Sequence, residues 1–285
     1  MTEVEDPTEP GRSTDHSPEL RSRWADELAF AVEIAAAAGV VLMDHYERLE
    51  RIDHKSSRDV VTEADHLSEE LVIAAIRADF PGDAILAEES GAHAASASQA
   101  VNGRTWVIDP LDGTVNYANG LPVFCVSIGF VVDGRPVAGA VLDPTRGETF
   151  AATADGPATL NGRSIRASTK DKLADGVLSL SLSGRSVSSR ARAIRREVRV
   201  SRSMGSASLA LAYVGNGRFD AFVQETSMSL WDIAAAGLVA ERAGAIVTSF
   251  GGGPWYEPSR STRTIGLIAA PTAFHDRLVR LANAR

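Results

Sequence analysis

The stretch from Trp106 to Asn116 constrains the fold most, because it joins a strand pattern directly to two carboxylates. It opens with three apolar residues typical of a buried strand and continues as Asp109-Pro110-Leu111-Asp112-Gly113. Pro110 has no N–H to donate to a ladder, so we expect strand pairing to end there. Gly113 permits a tight turn. The residues after it predict a short helix.

The carboxylates of Asp109 and Asp112 have two interpretations. They either cap a helix or ligate a cation. Hard oxygen donors beside the backbone N–H groups at a helix start suit a divalent cation and a phosphate together. Asp-x-x-Asp alone favours the cap, and the other acidic segments of the chain shift the balance to the ligand.

One of these segments, Lys55–Asp65, reads as a charged loop that leads into a helix ending near Asp79. Thr62 or Asp65 could cap that helix, and Lys55 could be a solvated surface lysine. The cap and a functional role both stay open here.

Two more segments place acids at the ends of predicted elements. Glu88 and Glu89 follow a short strand over 84–87, and adjacent glutamates repel each other unless a cation or a basic group offsets them. Asp232 opens an alanine-rich helix over 233–243, where an acid in the first turn is also favoured by the helix dipole. The adjacent glutamates thus indicate a metal site, and Asp232 has the interpretation of a helix N-terminal acid.

Composition excludes several classes of protein. With 285 residues and 44% hydrophobic content, the chain can bury a large core. The net charge of -8 argues against general nucleic-acid binding. The one cysteine, Cys125, excludes an internal disulfide framework and favours a reducing cytoplasm. Because it lies in an apolar run, we interpret it as a core residue rather than a nucleophile.

No membrane segment or secretory signal is expected. A spanning helix needs roughly 18 or more apolar residues, and the run Phe30–Met43 is shorter and contains Glu33. The N-terminus lacks a basic stretch followed by an apolar one.

The polar, acidic residues 1–17 predict a disordered tail. Ser17 and Pro18 then predict the cap and first position of a long helix that ends near Tyr46. Residues 18–285 are expected to form one unit with an N-terminal half over about 18–155 and a C-terminal half over about 156–285. Strand and helix patterns alternate in a mixed order, which predicts stacked α and β layers.

A segment between residues 185 and 202 is rich in arginine. It is either a nucleic-acid or phosphate patch, or a solvated helix face with one arginine on the substrate side. We favour the solvated face. The arginines are Arg185, Arg190, Arg192, Arg195, Arg196, Arg199 and Arg202.

Four segments, in their order along the chain, resemble the inositol monophosphatase family of magnesium-dependent, lithium-sensitive phosphatases. Trp106–Asn116 is similar to the first family signature and Trp231–Gly237 to the second. Asp59–Asp65 and Glu88–Ser90 are similar to two further family segments. Ala87 departs from the family pattern, in which a glycine often precedes the two glutamates.

The resemblance implies an αβαβα sandwich, two or three Mg²⁺ ions between its layers, and a homodimer. By position, Glu88, Asp109 and the carbonyl of Leu111 would hold the first ion. Asp109, Asp112 and Asp232 would hold the second. A third would lean on Glu88, with Asp59 and Asp65 nearby.

The resemblance also assigns substrate contacts. Thr114, hydrogen-bonded to Asp65, would position the attacking water, and the N–H groups of Gly113 and Thr114 would grip the phosphate. Ala207 and Glu225 match positions that contact inositol hydroxyls. Lys55, Glu89 and Arg202 complete the candidate set.

The expected function is therefore Mg²⁺-dependent hydrolysis of a small polyol phosphate, with inositol 1-phosphate as the leading candidate. Histidinol phosphate, fructose 1,6-bisphosphate and 3′-phosphoadenosine nucleotides are alternatives within the family. A regulatory role that binds RNA or protein is the alternative from a different class.

Overall fold

The structure is a computed structural model that describes residues 22–49, 52–56, 59–93, 103–183, 187–260 and 263–284. The side chains of residues 52 and 54–59 lie outside this description. The predicted disordered tail over 1–17 lies outside the described residues, so that expectation stays a prediction.

The described parts of the chain contain seven α-helices. They are α1 Ala25–His45, α2 Glu63–Asp79, α3 Thr114–Ala118, α4 Val187–Glu197, α5 Ala207–Gly215, α6 Leu230–Arg242 and α7 Thr272–Ala282, with a 3₁₀ turn at Leu173–Asp175.

Fifteen strands accompany them. They are β1 Ile52–Ser56, β2 Asp59–Thr62, β3 Ala84–Ala87, β4 Gly91–His93, β5 Arg104–Asp112, β6 Cys125–Val132, β7 Arg135–Asp143, β8 Glu148–Thr153, β9 Thr159–Leu160, β10 Arg163–Ser164, β11 Val177–Ser181, β12 Val200–Arg202, β13 Ala221–Met228, β14 Ile246–Ser249 and β15 Ile265–Ala270.

The strands form two large sheets and one hairpin. The eight-stranded sheet has the order β10-β9-β8-β7-β6-β5-β3-β4, and the five-stranded sheet has the order β12-β11-β13-β15-β14. Among the described strands, β1 and β2 form a separate two-stranded antiparallel sheet. Most of the large sheet is antiparallel, and β3 runs parallel to β5.

Three apolar clusters separate the layers. In β5, Trp106 and Ile108 face a cluster shared with α1 and α2, whereas Val107 faces a cluster shared with α5 and α6. This division follows from the alternation of side chains along a strand. A third cluster lies between the five-stranded sheet and helices α4 and α7. The layers therefore run helix, sheet, helix, sheet, helix, and the predicted αβαβα sandwich is confirmed.

Helix α6 lies unusually close to the large sheet because two glycines leave room for it. A Cβ on Gly129 would lie 2.6 Å from the Cβ of Ala234, and a Cβ on Gly139 would lie 2.8 Å from the Cα of Ala235. Small residues on both surfaces thus set the depth of α6 and of the acid near its N-terminus.

Helix α1 meets the length and composition of a membrane span, which the apolar run length in the sequence did not indicate. Among the described helices it alone does so. Ala31, Ala35, Ala38 and Leu42 on it are fully buried in the cluster beneath the large sheet. This packing makes α1 the core helix of the first layer.

Two predicted boundaries near the N-terminus are wrong. Helix α1 begins at Ala25 rather than Pro18, because residues 22–24 form a turn in which Asp155 accepts from the Ser22 hydroxyl and the Arg23 N–H. Ser17 lies outside the described residues. Within the predicted charged loop over 55–65, Asp59–Thr62 instead forms β2, antiparallel to β1, and α2 begins at Glu63; Val60, Val61 and Thr62 are β-branched residues that favour a strand.

Strand β5 corrects the expectation that pairing stops at Pro110. The strand continues to Asp112, which pairs with Cys125, and the register shifts between Asp109 and Asp112. The irregularity absorbs the missing N–H of Pro110, so the ladder resumes after it. The division of the chain near residue 155 stays a prediction.

Candidate active site

The register shift in β5 determines where the two motif aspartates lie. Asp109 accepts a hydrogen bond from the Leu111 N–H at 3.1 Å, which holds its carboxylate against the irregular turn. Gly113 follows with φ +100°, and a Cβ there would lie 2.9 Å from the Val123 carbonyl oxygen. Only glycine suits this position, because it permits both the backbone conformation and the close contact.

Asp232 and Asp65 each close a capping box at a helix start. Asp232 Oδ2 accepts from the Ser229 N–H at 2.6 Å at the start of α6, and Asp65 Oδ2 accepts from the Thr62 N–H at 2.8 Å at the start of α2. Of the two caps considered for α2, Thr62 is the N-cap and Asp65 is the third residue of its capping box, while Asp232 lies in the first turn of α6 as predicted. Capping uses one carboxylate oxygen in each case.

Asp109, Asp112 and Asp232 come together although they are distant in sequence. Each offers a carboxylate oxygen, and these oxygens all lie within 4.8 Å of one another. Burial, followed by the charge of Glu88, raises the pKa of Asp109 well above its ordinary value. Burial, followed by the charge of Asp112, does the same to the pKa of Asp232. Such mutual repulsion in a buried site is what a divalent cation offsets.

Glu88 and Glu89 follow β3, at the end of the large sheet where Asp109 lies on the neighbouring strand β5. The Glu88 N–H donates to the Ile108 carbonyl, and the Glu69 carboxylate accepts from the N–H groups of Glu89 and Ser90 at 2.8 and 2.9 Å. Glu69 is buried on α2 and was not among the predicted site residues. Its position in the first half of a helix pattern gave no signal of this contact.

Thr114 joins this cluster to Asp65. Its hydroxyl lies 3.1 Å from Asp65 Oδ1 and 3.0 Å from the Leu111 carbonyl oxygen. Burial, only partly offset by hydrogen bonds from Thr62, raises the pKa of Asp65 to about 6.

Two adjoining cavities open beside the carboxylates. The smaller, of about 160 Å³, is lined by Glu88, Asp109, Leu111, Asp112, Gly113, Thr114, Ser229, Asp232 and Arg263 among others. The larger, of about 200 Å³, is lined by Ser179, Ser181, Ser203, Met204, Ser206, Ala207 and Gln224 among others, and both include Asp112, Gly205, Ser227 and Asp232. The two form one cleft with an acidic end and a hydroxyl-rich end.

The structure does not bring Glu225 to the wall of this cleft. Gln224, its neighbour on β13, lines the larger cavity, while Glu225 accepts from both terminal nitrogens of Arg190 at 2.8 Å and from the Ser183 N–H at 2.8 Å. Arg190 is itself buried, which differs from the solvated face expected for the arginine segment. The predicted contact of Glu225 with a substrate hydroxyl stays a prediction.

The other predicted residues are divided between the site and the surface. Ala207 begins α5 and lines the larger cavity, and Arg202 is exposed at the end of β12. Lys55 lies in β1 and Asp59 in β2, with side chains outside the described set.

Sequence reasoning missed several residues that line the cleft. Ser206 is one, and its only signal was its place between a glycine and a helix pattern. Arg263 and the serines of β11 gave no signal, because only the pairing of the second sheet brings β11 and the turn before β15 to the cleft.

A family model described as the inositol monophosphatase family matches residues 24–285. The chain belongs to this family. Members of the family are metal-dependent phosphatases that act on small phosphate esters, and the aspartate cluster described above has the donors to hold a metal ion.

Curated relatives and solved structures agree with this assignment. The Nus factor SuhB of Pseudomonas aeruginosa is 38% identical over 235 residues, covering 79% of this chain and 86% of the relative. Inositol monophosphatase 2 of Solanum lycopersicum is 34% identical over 224 residues, covering 76% and 84%. The structure of an IMPase from Thermotoga maritima has a TM-score of 0.80 and 32% identity, covering 90% of this chain and 97% of that one.

Proposed function

We propose that the protein is a Mg²⁺-dependent phosphomonoesterase that hydrolyses a small polyol phosphate, with inositol 1-phosphate as the leading substrate. The observation that carries the proposal is the convergence of Asp109, Asp112 and Asp232 within 4.8 Å at one end of the cleft. The Thr114–Asp65 pair lies beside them, where a phosphate ester and a water would meet.

The donor set fits Mg²⁺. It consists of carboxylates and the Leu111 carbonyl, which are the hard oxygen ligands that this ion takes. Glu88, Asp109 and Leu111 would hold one ion, and Asp109, Asp112 and Asp232 another. Bound there, Mg²⁺ would neutralise charge on the phosphate and lower the pKa of a water.

Thr114 and Asp65 would orient the water and accept its proton. While the Thr114 hydroxyl donates to Asp65 Oδ1, its oxygen lone pairs can accept from a water in the smaller cavity. A carboxyl whose pKa is about 6 is ionised near neutral pH and can still take up a proton. Asp65 is thus suited to receive the proton through Thr114.

The larger cavity supports a neutral, hydroxylated leaving group. Its wall away from the aspartates is formed by serine hydroxyls and the Gln224 amide, which both donate and accept hydrogen bonds. This chemistry favours a polyol over the second phosphate of fructose 1,6-bisphosphate or of a nucleotide.

Release of inorganic phosphate from a substrate panel tests the proposal. The panel contains inositol 1-phosphate, glycerol 2-phosphate, fructose 1,6-bisphosphate, histidinol phosphate and 3′-phosphoadenosine 5′-phosphate, each with Mg²⁺ and with excess EDTA. We expect the highest kcat/KM for inositol 1-phosphate and no turnover in EDTA. Preference for another ester would replace the substrate, and turnover that persists in EDTA would contradict the metal-dependent reaction.

A regulatory role is the second candidate, because relatives at 38% identity carry the name Nus factor SuhB. Arg192, Arg195 and Arg196 of α4 are exposed and offer a basic face to RNA or an acidic protein surface. Replacing all three by Ala should abolish such binding while phosphate release persists. Unchanged binding by the triple variant would remove the role of this face.

The resemblance also supports a lithium-sensitive homodimer, and the single cysteine supports a cytoplasmic location. Light scattering of the purified chain tests the dimer, and phosphate release in the presence of LiCl tests the inhibition. A monomeric mass or full activity in lithium would contradict the respective part.

A further inference from the structure

Asp112 is held in place from the second half of the chain. Its Oδ2 accepts from the Ser206 hydroxyl at 2.6 Å and from the Ser208 N–H at 2.7 Å, at the start of α5. We propose that Ser206 is a positioning residue that fixes the rotation of the Asp112 carboxylate for a cation. The proposal rests on the metal-dependent function proposed above and goes beyond the ligands themselves.

The argument begins with the two oxygens of Asp112. A carboxylate oxygen has about two lone-pair sites, and the Ser206 hydroxyl and the Ser208 N–H are the two closest donors to Oδ2, with the Cys125 thiol farther away at 3.8 Å. Because these donors hold Oδ2 toward the start of α5, Oδ1 is the oxygen that would be offered to a cation. Asp112 lines both cavities, so its carboxylate lies where the two cavities meet.

Ser206 is itself fixed by the same helix. It is the N-cap of α5, and its hydroxyl oxygen accepts from the Leu209 N–H at 3.4 Å while donating to Asp112. It is 2% exposed, so water competes little for either bond. A single hydroxyl thus couples a helix start to a carboxylate of the aspartate cluster.

Asn116 holds the segment before α5 close to the end of β5. Its side-chain nitrogen donates to the Val123 carbonyl at 2.7 Å and to the Met204 carbonyl at 2.8 Å. Gly205, with φ +77°, would carry a Cβ only 2.8 Å from that nitrogen, so glycine permits this close approach. Asn116 on α3 therefore holds the segment that carries Ser206 in place.

It follows that cation binding and the contact between Asp112 and the start of α5 are thermodynamically coupled. If Ser206 orients Asp112 for the cation, then the bound cation must strengthen the Asp112–α5 contact in return. Residues that orient a metal ligand typically change metal affinity by 10–100-fold when they are replaced.

Calorimetric titration of the full chain with Mn²⁺ alone tests the inference. Ser206→Ala should weaken Mn²⁺ binding by about tenfold and reduce the rise in melting temperature that Mn²⁺ causes. Ser206→Thr keeps the hydroxyl and should restore both. In assays, Ser206→Ala should raise the Mg²⁺ concentration for half-maximal activity.

Ser168→Ala is the matched control. The Ser168 hydroxyl donates to buried Asp220 at 2.5 Å in the same half of the chain, away from the cleft. It should lose stability without loss of Mn²⁺ affinity. Should Ser206→Ala fail to fold, Asn116→Ser removes the contact to Met204 and is expected to weaken Mn²⁺ binding as well.

The outcomes separate this inference from the proposed function. Mn²⁺ affinity that is equal in wild type, Ser206→Ala and Ser206→Thr overturns the positioning role and leaves the metal centre standing. Wild-type protein that binds no Mn²⁺ overturns the metal centre itself. Equal losses in Ser206→Ala and Ser168→Ala would show a general packing effect and also overturn the role of Ser206.

Discussion

The fold buries carboxylates in two contrasting ways. At the cleft, Asp109, Asp112 and Asp232 are neighbours of one another, and burial and mutual charge raise the pKa values of Asp109 and Asp232 well above normal. On the far side of the second sheet, Glu225 faces Arg190. Burial pushes the pKa of Glu225 up, but hydrogen bonds from Arg190 and Ser183 outweigh it, so the net pKa is lowered.

The difference shows how a structural acid is distinguished from a candidate ligand. Arg190 supplies two parallel contacts to Glu225 and also donates to the carbonyls of Ser183 and Ala282, so the protein satisfies this carboxylate from its own residues. The cluster instead concentrates like charge, which a cation would offset. Both sites remove their carboxylates at least partly from water, and the identity of the counter-charge separates them.

The largest expected effect is at Asp109. Asp109→Asn should reduce phosphate release at least about a thousandfold, because Asp109 is the carboxylate proposed to hold both Mg²⁺ ions and its loss would cost several kcal/mol. The same variant should raise the free energy of unfolding in EDTA, because it removes one of the repelling charges. Exposed Asp175, which pairs with Arg199, offers Asp175→Asn as a control with unchanged activity. Full activity of Asp109→Asn would contradict the assignment of Asp109 as a metal ligand rather than a structural acid.

The opposite sign is expected at the Arg190–Glu225 pair. Arg190→Met should lower the free energy of unfolding by about 2 kcal/mol, below the usual range for a fully buried pair because the Glu225 side chain is 24% exposed. Urea denaturation measures this. Arg190→Met/Glu225→Met should recover part of the loss, and Arg199→Met at an exposed pair should cost less than about 1 kcal/mol. A stable Arg190→Met protein would contradict the structural role.

Asp65 offers a test between these extremes, since its pKa is raised to about 6. The folded protein holds this proton more tightly than the unfolded chain, so stability falls as the pH rises from about 4 to about 6. Asp65→Asn lacks this ionisation. The stability of wild type relative to Asp65→Asn, measured by urea denaturation in EDTA, should therefore decline across that range. A difference independent of pH would show that the pKa of Asp65 is not raised.

The smallest effect on activity is expected at Cys125, the thiol beside the cluster. Burial, and then the charge of Asp112, raises its pKa well above normal, so the reactive thiolate is disfavoured. Cys125→Ala should keep phosphate release within about threefold and cost about 1 kcal/mol of stability. Iodoacetamide should not inhibit the folded protein. A loss of phosphate release comparable to that of Asp109→Asn would indicate that the Cys125 thiol takes part in the reaction.

Local sequence patterns predicted much of this molecule. The order of strands and helices gave stacked layers, and the Asp109–Asn116 motif and its resemblance gave the family. These features depend on neighbouring residues: an apolar alternation, a glycine that permits φ +100°, or an acid three residues after a Thr or Ser cap. Each of these signals involves only a few neighbouring residues, so it can be read without knowledge of the fold.

Tertiary structure alone decided which residues meet. Ser206 contacts Asp112 across 94 positions of sequence, Arg190 contacts Glu225 rather than solvent, and Gln224 rather than Glu225 lines the cleft. These outcomes depend on the strand order of the second sheet and on the close approach of α6 over Gly129 and Gly139. The sequence determined which residues can carry charge and turn the chain, and long-range packing determined which charges are neutralised by the protein and which face the cleft.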